Sequence, residues 1–176
     1  MSSREYHKNW FKTQAIYLIP LLVIAVISFT FAHQDYDSAQ KQALSWMNPV
    51  VTKNEVAALK WVEENTAEIT VFASDIFGGE LLMSKLREGT LGGDWAVVPN
   101  VVSKMYDLQY NFYETQDSRT AWMVARKYNA SYAWVPDRNI FAGYEWKYTN
   151  YTLYEDSRFF EKVFDNGHRI YRVKQN

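Results

Sequence analysis

The chain has 176 residues, 19 basic and 20 acidic side chains, and no cysteine. Zero cysteine excludes disulfides, thiol catalysis and thiolate metal sites. The first 32 residues hold three bases (Arg4, Lys8, Lys12) and one acid (Glu5), which leaves 16 bases and 19 acids beyond Ala32, about −3 and no electrostatic footprint for nucleic acid or anionic lipid.

Residues 1–14 form a basic tail. Residues 15–32, from Ala15 to Ala32, carry no charge. At about 1.5 Å per residue that is roughly 27 Å of helix, close to a bilayer's ~30 Å hydrocarbon core. This predicts a transmembrane helix with the lipid bilayer as partner. The bases before it, and His33, Asp35 and Asp37 after it, predict a cytoplasmic N-terminus and an extracytoplasmic remainder. Thr30-Phe31-Ala32 loosely fits a cleavage site, but an apolar run of eighteen exceeds the 7–15 residues of a signal core. A pilin-like assembly helix is disfavoured by the charged lead and the lack of a small-residue processing site. An outer domain of 144 residues without disulfides is held by its core alone, which suits a prokaryote.

Residues 33–50 read as a stalk, with a short helix or stalk over 35–48 ending at Asn48-Pro49, and 51–176 as one α/β domain. Thr52-Lys53-Asn54-Glu55 is a capping box, with Val51 and Val56 placed as a hydrophobic staple. The helix it opens carries Val56, Leu59, Trp61 and Val62 and runs out at Glu64-Asn65. Ile69–Ala73 reads as a strand buried on both faces. A helix over Glu80–Glu88 follows, then Gly89, a turn at Gly92-Gly93-Asp94 and a second strand over Trp95–Val98. Val101, Met105, Leu108 and Phe112 form an amphipathic stripe. Asp117 or Ser118 caps another helix, with Ala121, Val124, Ala125 and Tyr128 inward. Tyr132–Val135 is a strand stopped by Pro136. Residues 138–155 are aromatic-rich and carry no clear pattern. Ser157–Asp165 reads as a helix closed by Gly167, and His168–Val173 as a final strand that can pair at an edge in either direction. Alternation of strands and helices predicts a layered α/β fold with a largely parallel sheet.

The chemistry is sparse. His7, His33 and His168 lack a second ligand at metal spacing, and there is no HExxH, phosphate loop or nucleophile elbow. No catalytic residue, metal or cofactor is expected. In open α/β sheets ligands sit beyond the carboxyl ends of the strands. That rule selects Asp75, Gly78 and Gly79 after the first strand, with Arg87, Asp94 and Trp95 around the glycine-rich loop. Asp137 and Arg138 follow the Tyr132–Val135 strand. Arg87 offers a bidentate grip to an anion and Trp95 a flat face for a sugar. The plainer alternatives are a solvated loop, Asp75 as a helix cap and Gly78-Gly79 as a tight turn. Asn129-Ala130-Ser131 and Asn150-Tyr151-Thr152 are glycosylation sequons at Asn129 and Asn150.

A membrane helix and stalk are followed by Ala57, Leu59, Trp61, Val62, Glu64, Asn65 and Thr66, the strand Val71–Ser74, and Arg87…Gly92-Gly93-Asp94. The chain closes on Phe160–Gly167 and Ile170-Tyr171-Arg172-Val173. This pattern resembles the C-terminal extracytoplasmic domain of multipass, polyprenyl- or dolichyl-phosphate-sugar-dependent membrane glycosyltransferases, the protein mannosyltransferase and oligosaccharyltransferase superfamily, its archaeal members above all. The resemblance implies an outer-face domain or split subunit that assists glycan or protein-acceptor binding beside a multipass core, without chemistry of its own. The family's catalytic acid lies on outer loops of a helix bundle that this sequence does not contain, so no catalytic residue carries over. The alternative is an independent single-pass binding or assembly protein.

Overall fold

The computed structural model describes residues 3–47, 50–92 and 98–175, and of 3–15, 41–42 and 44–47 the backbone alone. Two compact units divide the chain, residues 1–47 and 48–176.

The first unit is a helix, α1 (Ser3–Met47), with Pro20 inside it. Its stretch Ile16–Gln40 is long and apolar enough to cross a membrane. At about 1.5 Å per residue those 25 residues measure roughly 38 Å. The expected stalk is helical to Met47, because Asp35–Met47 contains no helix breaker. Asn48 and Pro49 lie outside the described residues.

The second unit opens with α2 (Lys53–Asn65). The capping box is complete: Glu55 N–H donates to Thr52 Oγ1 (3.2 Å) and Thr52 N–H to Glu55 Oε2 (2.8 Å). The buried stripe is Glu55, Ala58, Leu59 and Val62, so Val56, expected as half of the staple with Val51, falls on the outer face at 54% exposure. Then come β1 (Val71–Ala73), α3 (Ile76–Met83), β2 (Glu88–Gly89), α4 (Val101–Tyr106), a π-helix (Asp107–Tyr113) and α5 (Ser118–Lys127). Asp117 caps α5 through Arg119 N–H and Thr120 N–H. β3 (Tyr132–Val135) matches its expected bounds, and Ile69–Thr70 of the expected first strand lie outside β1. The unpatterned 138–155 region holds a small hairpin, β4 (Ile140–Phe141) with β5 (Trp146–Lys147), and a 3-10 helix (Tyr151–Glu155). β6 (Phe160–Asp165) and β7 (Arg169–Val173) close the chain.

Three sequence expectations need correction. The helix expected over Ser157–Asp165 is the strand β6. The helix expected over Glu80–Glu88 starts earlier, at Ile76 behind its cap Asp75, and ends at Met83, with Glu88 in β2. The last strand is not an edge, since the order is β2-β1-β3-β7-β6. β1 runs parallel to β2 and β3, whereas β7 is antiparallel to both β3 and β6, so the sheet is mixed. Of the expected strand over Trp95–Val98, residues 95–97 lie outside the described residues and Val98 is in a bend.

Two-residue alternation then sorts the strand side chains to two faces. Phe72, Trp134 and Ile170 pack with Ala58, Leu59 and Val62 of α2 and Leu82 of α3. Ala73, Ala133, Val135, Tyr171 and Val173 pack on the opposite face with Met105, Leu108, Phe112, Ala121, Val124 and Ala125. The result is a three-layer α/β/α sandwich with a core on each side of the sheet.

Candidate functional site

The carboxyl ends of β1 and β3 lie side by side, because Phe72 pairs with Tyr132 and Ala73 with Ala133. β1 leads into Asp75, and β3 leads through Pro136 to Arg138. Glu55 reaches the same point from the first turn of α2. All three side chains are buried, Asp75 and Glu55 completely.

Their hydrogen bonds close on one another. Arg138 Nε and Nη2 donate to Glu55 Oε2 and Oε1, both at 2.9 Å. Arg138 Nη1 and Nη2 donate to Asp75 Oδ2 (2.7 Å) and Oδ1 (3.1 Å). Nη1 also reaches the Asn139 carbonyl at 2.9 Å. Five guanidinium N–H groups thus meet five acceptors. Each carboxylate oxygen takes a second donor. Gly78 N–H (2.9 Å) and Phe141 N–H (3.3 Å) reach Asp75, while Trp134 Nε1 (3.2 Å) and Thr52 N–H (2.8 Å) reach Glu55. Two of these donors are backbone groups at the starts of α2 and α3, where negative charge is favoured.

Burial pushes the Glu55 carboxyl above its ordinary value, against the pull of Arg138. Burial works against the charge on Arg138 too, but the carboxylates of Asp75 and Glu55 outweigh it and hold its pKa up. Phe77 covers the guanidinium, 5.8 Å from ring centroid to Cζ. Beneath lies Trp134, its ring 3.9 Å from that of His168. His168 is fully buried, and neither ring nitrogen has a hydrogen-bond partner among the described residues. Burial first, then Arg138 and Arg169, lowers its pKa well below the ordinary 6.5.

The sequence-predicted residues do not all converge here. Asp75 is at the junction as the cap of α3. Gly78 and Gly79 lie in the first turn of α3, and they are required by close packing. A Cβ on Gly79 would stand 1.6 Å from the Leu91 carbonyl oxygen, and one on Gly78 2.5 Å from the Trp134 ring. The space an anion would need is occupied by the protein. Arg87 sits at the other end of the sheet, just before the β2 residue that pairs with Val71. Its guanidinium donates to Thr66 Oγ1 (3.1 Å) and to the carbonyls of Thr66, Lys85, Glu63 and Val62, and so caps the C-terminus of α2. Asp94 and Trp95 lie outside the described residues. Asp137 is exposed and accepts from Thr52 Oγ1 (2.8 Å) and Asn54 Nδ2 (2.6 Å).

Of the sequons, Asn129 is exposed in a left-handed turn after α5. Asn150 is half-buried, bonded to Gln116 and Thr152. No cluster of three or more His, Asp or Glu able to hold a metal occurs among the described residues. Glu55 is the junction residue that sequence reasoning missed, since its helix-capping role gave no sign of a second task. Its burial as the first member of the Glu55, Ala58, Leu59, Val62 stripe was the available signal.

Comparison with protein-family models, with curated proteins and with solved structures finds no match to this chain.

Proposed function

We propose that this chain is anchored in a membrane by α1, with its α/β domain on the extracytoplasmic side. There it serves as the outer-face domain or split subunit of a membrane glycosyltransferase, assisting acceptor or glycan binding without chemistry of its own. The observation that carries the passive role is the saturated junction. The acids standing where an α/β sheet offers catalytic groups hold two donors on every oxygen, and the arginine between them has no free N–H. A general acid or base must reach a substrate proton within hydrogen-bond distance, and these groups reach only each other, the Trp134 ring N–H and neighbouring backbone. The flank charges support the orientation, and the sequence phrases quoted above support the enzyme class.

The test is purification of the tagged full chain from native membranes under mild detergent, with identification of whatever accompanies it. A stoichiometric multipass glycosyltransferase is the expected result. Recovery of the chain alone, or with proteins that do not handle glycans, overturns the enzyme assignment. Sugar release from a polyprenyl-phosphate donor by the chain alone in nanodiscs overturns the passive role.

A further inference from the structure

The 107–113 stretch is a seven-residue π-helix continuing α4. Such segments are rare and frequent at functional sites. This one turns Leu108, Gln109, Phe112 and Tyr113 into the core. Tyr106 and Tyr110 are left on the outer side, with ring centroids 4.9 Å apart. Tyr144 extends the row at 5.7 Å from Tyr110. Its hydroxyl donates to the Val102 carbonyl at 3.2 Å, and the preceding Gly143 (φ +119°) is pressed onto Met105, where a Cβ would meet Cε at 1.7 Å. The loop carrying the third ring is therefore fixed against the helix carrying the first two.

Tyr106 is 53% and Tyr144 44% exposed, beside Val102 at 66%. Large apolar side chains grouped on a surface mark interaction sites. They border a groove of about 640 Å³ lined by Val98, Asn100, Val101, Val102, Ser103, Tyr106 and Tyr144, within the ~300–1,000 Å³ usual for small-ligand sites. Among the described residues that lining has hydroxyls and an amide and no charged side chain. Asn100 makes no side-chain capping bond. Beside Tyr110, Lys147 lies 2.9 Å from Glu145 and 4.0 Å from Glu114.

The geometry points to a binding site for a neutral oligosaccharide, with sugar rings set against Tyr106 and Tyr144 and sugar hydroxyls meeting Asn100 and Ser103. A pyranose has one apolar face and an equatorial rim of donors and acceptors, which is the complement of flat tyrosine rings beside uncharged polar groups. The choice of ligand rests on the glycan-handling role proposed above.

The test titrates the full chain in nanodiscs with maltotriose, mannotriose and chitotriose, followed by saturation-transfer NMR. At least one should bind at millimolar concentration or below. Tyr106→Ala and Tyr144→Ala should each weaken it about tenfold, equivalent to ~1.4 kcal/mol, with unchanged melting temperature. Tyr144→Phe, which keeps the ring, should bind nearly as the parent does. The site is overturned if none of the three binds, if the alanine variants bind as the parent does, or if a sugar phosphate binds more tightly than its neutral sugar. It is also overturned if the variants lose only a protein partner. Glycan binding by a chain that purifies with no glycosyltransferase would sink the enzyme assignment and leave this site standing. A transferase partner without glycan binding would do the reverse.

Discussion

Arg138 concentrates the energetics of the junction in one side chain. Removing it leaves Glu55 and Asp75 as neighbouring buried carboxylates, and breaking a buried pair in this way costs about 3–5 kcal/mol. Arg138→Met should therefore lower the urea midpoint of the domain sharply, with Arg138→Lys close behind, because an ammonium has three donors for five acceptors. A lysine variant as stable as the parent would contradict the bonding described. His168 makes a separate prediction. Its folded pKa lies below the ordinary 6.5, so under acid the unfolded chain takes up a proton that the folded chain refuses. Stability is then fully present above about pH 6.5 and falls as pH drops below it, by up to about 1.4 kcal/mol per pH unit. Urea titrations at pH 7.5, 6 and 5 should show this decline. His168→Leu, which forfeits no hydrogen bond, should flatten it, and a slope that survives the substitution would point to another group. At this scale the sequence exposes short-range roles and hides long-range ones. Thr52, Asp75 and Asp117 cap within three residues of themselves and are legible, whereas Arg138 finds Glu55 across 83 positions.

Among the elements, α3 is held by contact rather than by pattern. Gly79→Ala would drive a methyl group into the Leu91 carbonyl, so α3 must part from the Leu91–Gly92 backbone. A loss above the ~1–3 kcal/mol usual for overpacking is expected in thermal unfolding, although alanine is the better helix former. A stabilised variant would show that this packing is loose. For α1, reporter fusions at Asn176 with carbonate extraction should find the C-terminus outside and the chain in the membrane pellet. A soluble product beginning near His33 would mean a cleaved signal instead. Val23→Lys should impair insertion at about 2.5–3.5 kcal/mol. β6 shows why one strand reads as a helix. Its register shifts between Lys162 and Phe164, and Val163 and Phe164 both pack against the α2–α3 core. Phe160, Val163 and Phe164 then recur at i, i+3 and i+4, the spacing of a helical stripe.

In the molecule as a whole, the layered α/β character is legible because β1 and β3 are short, apolar and separated by helices. The sheet's mixed direction is not, because it follows from the β6–β7 hairpin whose first strand wears helical spacing. Nor does any local pattern say that β7 pairs with β3. That position gives the last strand an importance its place in the sequence conceals. Residues 169–173 are made after every other strand of the sheet, yet they fill the gap between β3 and β6. Until they arrive, β3 has one unpaired edge, and Trp134 and Tyr132 lack the Ile170 and Arg172 opposite them. The domain thus completes its sheet only once its last strand has emerged. A chain stopped at Gly167 should be found by pulse-chase as a protease-sensitive species, and one that resists protease as the full chain does would refute this order of events.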